Sequence, residues 1–144
     1  MTRDVHITIT GASLSEDGPE AVTELTARGQ YFGRDGFRFL LYEEQDPESG
    51  AVTRNTLKIA DLKIELTKSG ALASRMVFEA GKKHPIRYAT PYGLLLLELC
   101  TDGLQSVWSD NTGRVELSYR LLTAGALLSR NRLTIEIRNF LEKG

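Results

Sequence analysis

Gly18, Gly36, Gly50, Gly70, Gly81, Gly93, Gly103 and Gly113 interrupt the chain at short intervals, and the residues between them are β-branched, aromatic or alternating in polarity. A chain punctuated this often has no room for long helices and reads as short strands joined by tight turns. No segment supplies the crossover helix that neighbouring parallel strands require, so the sheet is predicted to be antiparallel and connected mostly between nearest neighbours.

The strands follow from the period of two. Val5, Ile7 and Ile9 alternate with His6, Thr8 and Thr10, and Glu16-Asp17-Gly18-Pro19 then turns the chain. Ala21 to Phe32 form a long second strand in which Gly29 is expected to mark a bulge or sharp bend. Arg34-Asp35-Gly36 offers a hairpin turn, Phe37 to Glu44 a dense apolar strand, and Asp46 to Gly50 a polar loop. Val52 to Ile59, the alternation Leu62-Ile64-Leu66 and the shared parity of Leu72, Met76 and Phe78 give three more strands. Gly81-Lys82-Lys83-His84-Pro85 reads as a solvated basic turn before the extended residues Arg87 to Thr90. Leu94 to Thr101, Leu104 to Ser109, Val115 to Leu121 and Leu133 to Ile137 complete an all-β set of about ten strands. A meander of that size must curl to protect its edges, and the interior glycines favour a barrel over a two-sheet sandwich.

Composition narrows the function classes. At 144 residues and 41% hydrophobic, residues 1–144 are expected to form a single β-barrel domain. The 18 basic and 19 acidic side chains nearly cancel, which excludes the field that draws a protein to nucleic acid or to an anionic membrane. Met1 to Val5 begin no signal-peptide core and the run Leu94 to Leu97 is too short to span a bilayer, so the chain reads as cytoplasmic. Cys100 follows that run and is expected to behave as a small buried hydrophobe. Nucleophilic catalysis wants a histidine beside its nucleophile, and only His6, on the polar face of the first strand, and His84, in the basic turn, are on offer. No cofactor or metal is called for, and an enzyme is the least supported class. Glu43 and Glu44 fall on opposite faces of their strand, and whichever points inward needs a cationic partner.

Gly29-Gln30-Tyr31-Phe32, Leu41-Tyr42-Glu43-Glu44, Thr56-Leu57-Lys58-Ile59, Ser69-Gly70, Met76-Val77-Phe78 and Tyr88-Ala89-Thr90-Pro91-Tyr92-Gly93, in that order, resemble the YwiB-like family of small bacterial proteins. The likeness runs from about Val5 to Ile137. It implies a calycin-type barrel, similar in shape to lipocalins and fatty-acid-binding proteins, and brings no catalytic residues with it.

In a hollow barrel Tyr88 and Tyr92 are expected at the mouth, with Tyr31, Tyr42, Asn55 and Met76 as further lining residues. The competing reading is core packing or strand-edge hydrogen bonding for Tyr31, Tyr42, Asn55 and Met76, and for Tyr88 and Tyr92 a packed strand connection, since Pro91-Tyr92-Gly93 is ordinary turn chemistry. Two functions stay open at this level, a binder of a small, partly apolar molecule and an interaction protein with a filled barrel. Interior volume separates them, since Phe37, Phe39, Met76, Phe78 and Trp108 are large enough to fill a small barrel. The uncharged stretch Ala124-Gly125-Ala126-Leu127-Leu128, where a polar hairpin tip is usual, is expected to fold over one end of the barrel or to pack against a second subunit in a homodimer.

Overall fold

The structure, a computed structural model, describes residues 2–15, 18–70, 74–90, 93–109 and 112–139, with the backbone alone for 88–90. The turn at Glu16-Asp17, Leu72, and the turn residues Asp110-Asn111 lie outside the described residues. Ten strands form one antiparallel sheet: β1 (Arg3–Ser15), β2 (Ala21–Arg34), β3 (Phe37–Gln45), β4 (Val52–Ile59), β5 (Lys63–Gly70), β6 (Ser74–Glu79), β7 (Lys83–Thr90), β8 (Gly93–Trp108), β9 (Thr112–Thr123) and β10 (Ala126–Asn139). Their order, β6-β5-β4-β3-β2-β1-β10-β9-β8-β7, is a meander closed by its terminal strands, because β1 pairs with β10 from Val5 opposite Asn139 to Ser15 opposite Ser129. The result is a nearly closed barrel. Its seam falls in the middle of the chain, between β6 and β7, which follow one another in sequence and are not joined in the ladder.

Turn chemistry makes the long hairpins. Asp35 and Gly36 both take positive φ (52° and 83°), the two-residue geometry whose twist matches the flanking strands. Ala124 and Gly125 do the same between β9 and β10, at φ 49° and 81°. Alternation then decides the faces. Val5, Ile7, Leu40, Leu57, Ile59, Ile64, Phe78, Val115, Leu117, Ile135 and Ile137 point inward as one buried cluster. Each such side chain contributes roughly 1.5–3 kcal/mol of burial.

Several expectations are corrected. Leu94 to Thr101 and Leu104 to Ser109 are not two strands: β8 runs through Gly103 by means of a bulge at Asp102, where the register slips between Thr101 and Gly103. A second bulge sits at Leu128. Gly29 marks no bulge, since its ladders run through without a slip; a Cβ there would collide with Ile7 Cδ1 and the Leu41 carbonyl. The basic turn is shorter than expected, for Lys83, His84 and Pro85 already belong to β7. Pro85 is tolerated there because β7 is an edge strand. Phe37 and Phe39 do not fill the barrel: they have the opposite parity to buried Leu40, and Phe39 stacks on Phe32 of β2 with ring centroids 4.9 Å apart.

Cys100 is buried and unbridged, as its setting suggests. Around it the seam is fastened from below. Gly81 N–H donates to the Thr101 carbonyl at 2.9 Å, and Thr101 N–H returns a bond to the Lys82 carbonyl at 3.3 Å. Glu79 at the end of β6 meets His84 Nε2 at 2.9 Å and Lys82 Nζ at 3.4 Å, and these partners, His84 first, hold its carboxyl below the usual glutamate range.

Candidate functional site

The lumen is crossed twice by large side chains. Phe78 of β6 meets Tyr119 of β9 edge-on, with centroids 5.0 Å apart. Tyr31 of β2 stacks on Trp108 of β8 at 5.8 Å, and the Arg38 guanidinium of β3 lies 4.4 Å over the same indole while its Nη1 donates to the Tyr31 hydroxyl at 2.6 Å. This second crossing plugs one end of the barrel. The other end stays hollow. There Ile9, Leu25, Tyr42, Leu57, Leu66, Met76, Phe78, Tyr119, Leu133 and Ile135 line a cavity of about 360 Å³, open to solvent on the side where Thr23, Glu24, Glu44 and Lys68 stand. That size falls within the range of small-molecule pockets, roughly 300–1,000 Å³.

Register gathers the polar groups of this wall. Tyr42 of β3 lies opposite Asn55 of β4, and Asn55 opposite Lys68 of β5, so three neighbouring strands present one row to the lumen. Glu44, two residues beyond Tyr42, shares its face. Its Oε1 accepts from Asn55 Nδ2 at 3.1 Å and from Lys68 Nζ at 3.4 Å. Glu43 points the other way and pairs with Arg54 at 3.1 Å. Asn55 is 1% exposed and its Oδ1 has no hydrogen-bond partner among the described residues. A buried carbonyl oxygen left in that state costs about 1–3 kcal/mol. Burial, with the nearby Glu44 charge as the lesser cause, pushes the Tyr42 phenol well above the ordinary tyrosine range. Burial alone raises that of Tyr119.

The lining residues expected from sequence are therefore dispersed. Tyr42 and Met76 line the hollow end, and Asn55 stands in the same wall between Tyr42 and Lys68. Tyr31 belongs to the plug at the opposite end, beside Trp108. The backbone of Tyr88 lies opposite Leu95 in the β7–β8 ladder, while its side chain, and Tyr92 entirely, fall outside the described residues. Sequence reasoning missed Lys68, although a signal was available. The alternation Ile64-Leu66-Lys68 carries a lysine onto the core face, where a charge requires a partner. Tyr119 was legible only as one member of the alternating run from Val115 to Leu121. As chemistry, the row offers a cation, a carboxylate and an unpartnered acceptor beside an apolar wall. Among the described residues there is no cluster of three or more His, Cys, Asp or Glu side chains suited to a metal, and no helix long and apolar enough to cross a membrane.

Comparison with known proteins gives the same architecture. The chain is 27% identical over 120 residues to the uncharacterised beta-barrel protein YwiB of Bacillus subtilis (strain 168), covering 83% of each sequence. The crystal structure of the ywiB protein from Bacillus subtilis superposes with a TM-score of 0.83 at 20% identity, over 96% of this chain and 92% of that one. Residues 7–135 match the family described as a domain of unknown function, DUF1934, and the chain with its nearly closed meander belongs to that family.

Proposed function

We propose that the protein is a non-catalytic binder that takes a small, partly apolar molecule into the hollow end of its barrel. The observation that carries this reading is the unpartnered, buried Asn55 Oδ1, held in a wall that also presents Lys68 and Glu44 to an apolar cavity of about 360 Å³. The ligand sets its apolar body against Leu57, Leu66, Met76 and Ile135 and turns a hydrogen-bonding group toward the row Tyr42-Asn55-Lys68. A calycin-type barrel, which the family resemblance implies, would suit this reading, and the single unbridged thiol of Cys100 suits the reducing conditions of the cytoplasm.

A thermal-shift screen of fatty acids, their alcohols and other small apolar compounds tests it. A compound at a hundredfold excess over its Kd adds about 2.7 kcal/mol, roughly 5–10 °C in Tm for a domain of this size. Leu66→Trp, which fills the cavity, is expected to abolish that shift while the fold persists. A screen without a saturable shift, or a shift that Leu66→Trp leaves intact, refutes the reading.

A second reading, self-association, is favoured by exposed leucines. Leu128, bulged out near the β9–β10 tip, is 39% exposed, and Leu94 and Leu96 of β8 are 60% and 63% exposed. Light scattering that finds a dimer, converted to a folded monomer by Leu128→Asp, would support it; a monomer at high concentration removes it.

A further inference from the structure

The plugged end of the barrel carries a second, independent site. Outside the crossing of Tyr31, Arg38 and Trp108 lies a pocket of about 310 Å³, whose rim includes Arg3, Ser109, Thr112 and Asn139. No acidic side chain lines it among the described residues. Arg38 is half-buried here and makes no ion pair among the described residues, whereas the inward cation at the other end, Lys68, has Glu44 at 3.4 Å. A charge withdrawn from water without a counterion is costly, and the fold tolerates it only by stacking the guanidinium on Trp108 and tying Nη1 to Tyr31.

The same two contacts set the group up for recognition. The Trp108 face covers one side of the guanidinium and the Tyr31 hydroxyl holds its Nη1, so the group is restrained at two points. The remaining N–H groups therefore present an oriented edge, the fork that matches two oxygens of a carboxylate or phosphate. Trp108 is itself held, because it lies where a side chain at Gly113 would stand. Ser109 Oγ and Thr112 Oγ1, 2.7 Å apart, bond to each other and leave at most one hydroxyl hydrogen for a ligand at the rim.

We infer that this pocket binds the oxyanion group of a small molecule, with Arg38 as its principal ligand. The site is separate from the apolar cavity, and either can be lost without the other.

Trp108 is the only tryptophan of the chain, so its emission reports on this pocket alone. The purified protein is titrated at constant ionic strength with inorganic phosphate, with benzoate and with chloride. A saturable change in emission is expected with phosphate or benzoate and none with chloride; the arm that saturates at lower concentration identifies the group. Arg38→Lys keeps the charge and loses the fork, and is expected to weaken binding about tenfold or more. Thr112→Glu places a carboxylate on an exposed rim position, losing only the surface hydroxyl bond to Ser109, and is expected to abolish the response even if Arg38→Lys fails to fold. Arg114→Gln, an arginine outside the pocket, leaves it unchanged. Absence of a saturable response to both oxyanions overturns the inference, as does an affinity that Thr112→Glu does not alter.

Discussion

At one end of the barrel Tyr31, Arg38 and Trp108 reach across the lumen and meet, while at the other Tyr42, Asn55 and Lys68 stay within their own wall and leave a cavity in front of them. The backbone does little to distinguish the two, since both are lined by the same alternating antiparallel strands. The side chains make the difference. At the plugged end glycine at position 113 lets an indole lie flat against the wall, so large groups from opposite strands come within reach. At the hollow end the inward polar groups bond sideways to one another and none crosses. This barrel keeps an open space where its inward polar groups bond along the wall, and loses it where Tyr31, Arg38 and Trp108 meet across the lumen.

The sharpest way to break this comparison is to add volume at each end. Gly113→Val must displace the Trp108 ring, and overpacking of that kind costs about 1–3 kcal/mol. Leu66→Trp places its extra atoms in the open cavity and is expected to cost under about 1 kcal/mol. Urea unfolding of both variants measures the contrast. Equal losses would mean that the hollow end is as tightly filled as the other.

Ionisation sharpens it further. Tyr42 and Tyr119 both face the cavity, and burial raises both phenols. The folded state therefore holds these protons more tightly than the unfolded chain, whose tyrosines titrate near the ordinary value of about 10. The resulting stability is fully present below that pH and is lost as pH rises above it toward the raised folded values. Near-ultraviolet phenolate absorbance is expected to show these two tyrosines ionising together with unfolding. A ligand in the cavity should move that step to higher pH, and Tyr42→Phe should reduce it.

The smallest effect belongs to the seam, away from both ends. His84, and after it Lys82, hold the Glu79 carboxyl below its ordinary range. The stability so gained is present above the unfolded glutamate value of about 4.3 and lost as pH falls through the lower folded one. Glu79→Gln is expected to lower Tm slightly at neutral pH and to converge with the unsubstituted protein in acid. A constant difference at all pH values would show that Glu79 acts by packing instead.

Much of the barrel was legible in the residue pattern because the pattern is local. Alternation at Val5-Ile7-Ile9 and Val115-Leu117-Tyr119 and glycine at the turns place strands and faces without knowledge of any partner strand. Position 102 shows the limit. Gly103 looks like a strand break, but its neighbour Asp102 is accommodated as a bulge because β9 continues alongside. Tyr31 and Tyr42 show it again. They lie on one side of the barrel wall by parity, yet they end at opposite ends of the lumen, facing Trp108 and the cavity respectively.

The sequence by itself therefore determined that this chain is an antiparallel meander with an apolar inner face, since strand period and turn geometry are properties of neighbouring residues. Only the tertiary structure decided which inward groups meet. Whether Glu44 finds Asn55 and Lys68, and whether Arg38 finds Trp108, depends on the register between strands and on distances across the lumen. Those are set by barrel closure, in which contacts between residues far apart in the chain satisfy or strand each buried charge.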